Sequence, residues 1–291
     1  MSAAGPVEPL SESAPLAWAE APGLCHRDPA TGDTCVWYHR VWQYLRLLGI
    51  ITTVRTNSDF LIGTFRECAR TREHSVALIS ATADYSMLAH LNHAYAQEHQ
   101  KLDVTVVDRC PTALMLNRWY AERCELAVKT RHADVLEYAP DGPFDLVCAH
   151  NFVGRFDLEN RRRLISRWHA LLRPGGLVVT TQRIRPNSRE HRSGYTDAEA
   201  RELSDRVAAI ARTHSGLGVD HDEFAMAVYE YALRKSAFVI RADREITDPF
   251  IEQGFDVVVA DEGGLAERLR DQPGSTAGKD TYRLRVVARK R

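Results

Sequence analysis

A chain of 291 residues, 44% hydrophobic and 26% charged, is long enough to bury a sizeable core and has the composition of a soluble globular protein. Its formal net charge of −1 supplies no global field toward nucleic acid or an anionic membrane. Its apolar runs fall short of the ~20 residues that a bilayer-spanning helix needs.

The six cysteines (Cys25, Cys35, Cys68, Cys110, Cys124 and Cys148) contain no C-x-x-C pair. That spacing argues against a metal site or a disulfide framework and favours reduced thiols in a cytoplasmic protein. Residues 1–23, rich in Pro, Ala, Ser and Glu and without a basic residue, are expected to form a disordered arm rather than a signal or transit peptide. An N-terminal helical segment is expected over 24–74, with helices at Trp37–Leu48 and Asp59–Thr71.

From Ser75 the pattern changes to short apolar runs that alternate with amphipathic stretches. Strands are predicted at Ser75–Ser80, Asp103–Asp108, Leu126–Asp134, Phe144–His150 and Leu177–Ile184. Helices fall between them at Asp84–Gln100, Pro111–Cys124 (proline in its first turn) and Leu158–Leu172, and Pro174-Gly175-Gly176 turns the chain into the fifth strand. Such alternation implies parallel strands joined by right-handed crossovers, with helices on both faces. Two successive helices, Thr196–His214 and Asp220–Lys235, interrupt it as an insertion at about 190–236, placed to cap a pocket. A helix near Asp248–Gln253, strands at Phe255–Ala260 and Tyr282–Lys290, and a loop at Asp271–Asp280 complete the 75–291 domain.

In an open parallel sheet, ligands bind beyond the carboxyl ends of the strands, so chemistry is sought there. Small residues follow the first strand (Ser80, Ala81, Thr82, Ala83), then Asp84; they allow close approach to a ligand and open a helix whose amides face it. Asp108, with Arg109 after it, ends the second strand, where an acid accepts both hydroxyls of a ribose. Asp134 and Val135 follow the third, placed to meet an adenine edge, and His150 and Asn151 follow the fourth, where a reacting group would sit. His90, His93 and His99 share one helix but lack an acid to complete a metal set, so no metal is expected.

Taken in order, these residues resemble the core of the class I S-adenosylmethionine (SAM)-dependent methyltransferases. The resemblance rests on Phe144-Asp145-Leu146-Val147 and on Leu171-Leu172-Arg173-Pro174-Gly175-Gly176, and extends over Ser75–Arg291. It implies a Rossmann-like α/β fold, a seven-stranded mostly parallel sheet of order 3-2-1-4-5-7-6, with N-terminal helices and a helical cap after strand five. It also implies SAM as cofactor and a small-molecule acceptor methylated on O or N; the near-zero charge and the cap argue against nucleic acid or membrane as partner, and a homodimer is expected by analogy. His150 or His191 would then be the base, with Asn151 orienting the acceptor, and Tyr38, beside Trp37 and Trp42, would close over the sulfonium. The sequence departs from the family at the loop after strand one, where Ser80-Ala81-Thr82-Ala83 stands in place of a glycine-rich run. The alternative is therefore a methyltransferase-like protein that binds SAM or a relative without methylating.

Overall fold

A computed structural model of the chain describes residues 5–28, 31–51, 53–214, 216–263 and 281–291. Helices α1 (Leu10–Leu24), α2 (Val36–Leu47) and α3 (Ser58–Arg70) precede the sheet. The disordered arm expected over residues 1–23 is thus helical from Leu10 onward. Ala14, Ala17 and Ala21 fall on one face and are fully buried, which the composition of the segment conceals.

The sheet strands are β1 (His74–Ser80), β2 (Lys101–Asp108), β3 (Val128–His132), β4 (Phe144–His150), β5 (Leu172–Ile184), β8 (Phe255–Gly263) and β9 (Tyr282–Lys290). A two-residue pair, β6 (Arg192–Ser193) and β7 (Ala237–Phe238), stands apart. The main sheet runs β3-β2-β1-β4-β5-β9-β8, parallel through β5 and antiparallel at β9 and β8. This is the expected order, with β9 and β8 as its seventh and sixth strands. Helices α3, α4 (Ser86–Gln97) and α5 (Pro111–Arg123) contribute to one core, and α6 (Leu158–Leu171) and α9 (Arg244–Glu252) to the other. The loop expected at Asp271–Asp280 lies outside the described residues.

The Phe-Asp and Arg-Pro-Gly-Gly motifs are joined by one buried carboxylate. Asp145 accepts from the Val76 amide (2.8 Å) and pairs with Arg173 (2.9 Å) and Arg72 (3.0 Å), locking the starts of β1, β4 and β5 together. Pro174-Gly175-Gly176 lies inside β5 rather than before it, where the β4–β5 register shifts. Gly175 has φ +73°, and a Cβ on Gly176 would stand 2.9 Å from the Arg173 carbonyl oxygen.

Above the carboxyl edge, α1 and α2 pack with α7 (Asp197–Thr213) and α8 (His221–Arg234) in a third apolar cluster. The Trp18 ring meets Tyr44 and Phe224 edge-on, Tyr44 donates to the Leu217 carbonyl (2.6 Å), and Arg40 pairs with Glu223 (2.6 Å). The N-terminal helices and the insertion thus form one lid. No helix among the described residues is long and apolar enough to cross a membrane.

Candidate functional site

A cavity of about 870 Å³ opens between the carboxyl ends of β1, β2, β4 and β5 and the lid. Its volume suits a nucleoside-sized ligand together with a small acceptor.

On the β1–β2 side the loop after Ser80 turns at Ala81, whose φ of +60° is the left-handed conformation that glycine adopts without strain. The Ala81 amide donates to the Val107 carbonyl (2.9 Å), and the Thr82 amide to Asp108 Oδ2 (2.9 Å). Asp108 Oδ1 accepts from the Cys110 amide (2.7 Å). Withdrawal from solvent pushes the Asp108 carboxyl up to about 6, against the pull of the Thr82 amide, the His39 ring and the Cys110 amide. A carboxylate offers about four acceptor positions. Two go to these amides, and the rest remain for hydroxyl donors in the cavity.

Asp84 also lines the cavity, but its carboxylate is engaged by the Trp42 indole (2.7 Å), Arg46 (2.8 Å) and the Ser86 amide (2.7 Å). It fastens α2 to the start of α4. Ser80 is turned away from the cavity and accepts from the Trp168 indole (2.8 Å). Tyr38 stacks on Trp42 with centroids 4.9 Å apart, and both rings line the cavity together with Trp37.

The adenine-edge expectation is not met by side chains. Asp134 caps the Leu136 amide (2.9 Å) and faces Arg109 at 3.8 Å, while Val135 is buried in the core; neither lines the cavity. Arg109 and Cys110 line it there instead, with His26, Asp28, Asp33 and Thr34 opposite. The cysteines that look scattered in sequence are not scattered in space: Cys25, Cys35 and Cys110 present their sulfurs within 4.8 Å of one another.

On the β4–β5 side, His150 Nδ1 meets Thr181 Oγ1 at 2.8 Å. Burial, then Arg283 and Arg183, hold its pKa well below the ordinary imidazole value, so it is neutral at pH 7. Asn151 sits at φ +54°, and its Oδ1 accepts from Gln182 Nε2 and the Arg183 amide (both 3.2 Å). Its amide nitrogen is the group left for a ligand. His191 is exposed, edge-on to Phe238 (5.4 Å) and off the cavity lining, so the structure does not bring it to the site.

Sequence reasoning missed a cluster of cations on this side. Arg155, Arg183, Arg185 and Lys235 line the cavity, and Arg283 stands opposite Arg183 in the β5–β9 register. Burial, followed by Arg183, Arg155, Arg185 and Arg283, drives the Lys235 pKa well below that of a free lysine. Arg183 and Arg185 are two residues apart at the end of β5, a spacing that places both on one side; that was the only local signal.

A family model described as a methyltransferase domain matches residues 87–176. No curated protein matches the chain. Among solved structures, a SAM-dependent methyltransferase from Clostridium acetobutylicum aligns at TM-score 0.52 and 9% identity, over 85% of this chain and 96% of that one. The [4+2]-cyclase SpnF aligns at TM-score 0.51 and 12% identity, over 80% of each chain. The SAM-dependent methyltransferase SibL aligns at TM-score 0.50 and 17% identity over 94% of this chain, which spans only 61% of the SibL chain. The sheet order and these likenesses show the Rossmann-like fold of the SAM-dependent methyltransferases, and the methyltransferase-domain match covers the segment from α4 into β5.

Proposed function

We propose that the protein transfers the methyl group of SAM to an oxygen or nitrogen of a small, anionic acceptor. The observation that carries this reading is the division of one cavity into a carboxylate and aromatic half, at Asp108, Tyr38 and Trp42, and a cationic half around His150. The donor set fits SAM at its ribose and its sulfonium. Asp108 has acceptor positions left for the ribose hydroxyls, and the Tyr38 and Trp42 faces suit a cation. When bound, SAM supplies an already activated methyl group, so the chain's task is alignment, exclusion of water and removal of a proton.

Arg155, Arg183, Arg185 and Lys235 hold an acceptor that carries a carboxylate or phosphate, and Asn151 orients its nucleophilic atom. His150 takes the proton. With Nδ1–H donating to Thr181, Nε2 is the basic nitrogen. His150 is depressed first by burial and then by Arg283 and Arg183; an anion bound at Arg183 offsets that one cation and returns part of the imidazole's basicity once the acceptor is in place. The near-zero net charge of the chain favours a free small molecule over a polyanion.

The test is incubation with methyl-labelled SAM and a panel of hydroxy and amino compounds, each with and without a carboxylate or phosphate. Labelled product is expected from anionic members and not from their neutral analogues. A second reading, ligand binding without methylation, draws on the Ala81 methyl in the left-handed turn and on the same fold in a protein named as a cyclase. It predicts SAM binding with no label transferred to any acceptor.

A further inference from the structure

We infer that Cys25, Cys35, Cys110 and His39 form a structural zinc site that staples the lid to the sheet beside the cavity; this does not depend on methyl transfer. Cys35 and Cys25 Sγ lie 3.3 and 3.8 Å from Cys110 Sγ, and all three sulfurs fall within 4.8 Å of one another. Thiolates each about 2.3 Å from one tetrahedral zinc stand about 3.8 Å apart, so the sulfurs already mark out the corners. They are too distant for a disulfide bond of about 2.05 Å.

The fourth corner comes from His39. It is buried, lines the cavity with Cys35 and Cys110, and its Nδ1 has no hydrogen-bond partner. Cys35 and His39 are one helical turn apart, which places them on the same face of α2. Cys25 is held near Cys35 by the isolated antiparallel bridge between Arg27 and Thr34. Cys110 sits at the N-cap of α5, immediately before Pro111. Two of the three sulfurs thus stand at helix N-termini, where the positive end of the helix dipole favours thiolate.

The surroundings suit a metal thiolate as well. Thr112 Oγ1 lies 3.2 Å from Cys25 Sγ, so its hydroxyl can donate to the sulfur, the supporting contact that zinc ligands ordinarily receive. On binding, the three thiols release their protons and His39 coordinates as neutral imidazole. Four protein ligands close the shell and leave no position for water or substrate, so the ion is structural. It joins the end of α1, the start of α2 and the start of α5, and fixes the wall that Cys35, His39 and Cys110 contribute to the cavity.

The experiment is metal analysis of the full chain, purified without an affinity tag from zinc-supplemented cells, followed by replacement of the metal with cobalt. One zinc per chain is expected, together with the visible absorption of tetrahedral thiolate-bound cobalt. Cys35→Ser and Cys110→Ser are expected to lose the metal, and Cys124→Ser to retain it. Should the site variants fail to fold, the cobalt spectrum of the unaltered chain decides the matter. A folded chain that takes up neither zinc nor cobalt overturns the proposal. So does iron in place of zinc, a disulfide between any two of the three cysteines, or metal retained by folded Cys35→Ser and Cys110→Ser.

Discussion

The two walls of the cavity rise from one sheet and carry opposite charge. Beyond β1 and β2 the chain sets Asp84 and Asp108 with the faces of Tyr38 and Trp42, and beyond β4 and β5 it sets Arg155, Arg183, Arg185 and Lys235 around His150. In the first wall Asp84 is fully occupied by Trp42, Arg46 and Ser86, while Asp108 is braced by two amides and keeps acceptor positions for a ligand. In the second, burial first and then neighbouring cations drive both His150 and Lys235 toward their neutral forms. Under the proposed function, a site divided in this way would hold a cationic methyl donor against the first wall and an anionic acceptor against the second.

Breaking the second wall at its base carries the largest effect. His150→Gln is expected to lower kcat about 100-fold or more, the usual contribution of a positioned base, with little change in KM. A rate unchanged across the pH range would remove His150 from the chemistry. Arg183→Gln weakens the wall's charge instead. It should raise KM for the anionic acceptor about tenfold, the loss of one charge-assisted contact. Because Arg183 also depresses His150, the rising limb of the kcat/KM profile should move to higher pH. A rise in KM with an unmoved profile would separate the two roles.

The depressed His150 pKa also has a thermodynamic consequence. Below pH about 6.5 the unfolded chain binds a proton that the folded site refuses. The contribution of this residue is therefore fully present above pH about 6.5 and is lost as pH falls toward the folded pKa, by up to about 1.4 kcal/mol per pH unit. His90, also depressed by burial, adds to the same slope. Denaturant titrations from pH 7 to 5 should show a shallower decline in His150→Asn than in the parent chain. The smallest effect sharpens the first wall: Ala81→Gly relieves the left-handed strain and should stabilise the fold by about 0.5–1 kcal/mol, read as a rise in melting temperature of about 2 °C. A fall would show that the alanine methyl contributes packing that outweighs the strain.

The sheet was legible because a strand buried on both faces must be a short apolar run, and β4 and β9 begin and end at the residues the pattern indicates. Asp145, Arg173 and the two glycines were legible for the same reason that they work, since their contacts lie at the starts of adjacent strands. Helix α1 was hidden because its buried face is alanine, which composition reads as featureless. The acid after β3 misled because an aspartate at a strand end serves equally well as a cap, and Asp134 caps the Leu136 amide. The cation cluster and the thiol cluster were illegible for a different reason. Arg155, Arg183 and Lys235 meet, as do Cys25, Cys35 and Cys110, only once the lid has docked on the sheet, and no local spacing encodes that docking.

Whether the wall at Asp108 holds the adenosyl group across an alanine turn decides the proposed function most directly. Calorimetric titration with SAM and with S-adenosylhomocysteine measures this in the parent chain and in Asp108→Ala. Saturable binding of both, one per chain, with affinity lowered about 100-fold in the variant through loss of charge-assisted bonds to two hydroxyls, is the predicted result. Folded parent protein that binds neither ligand, or binds both equally well without the Asp108 carboxylate, would contradict it.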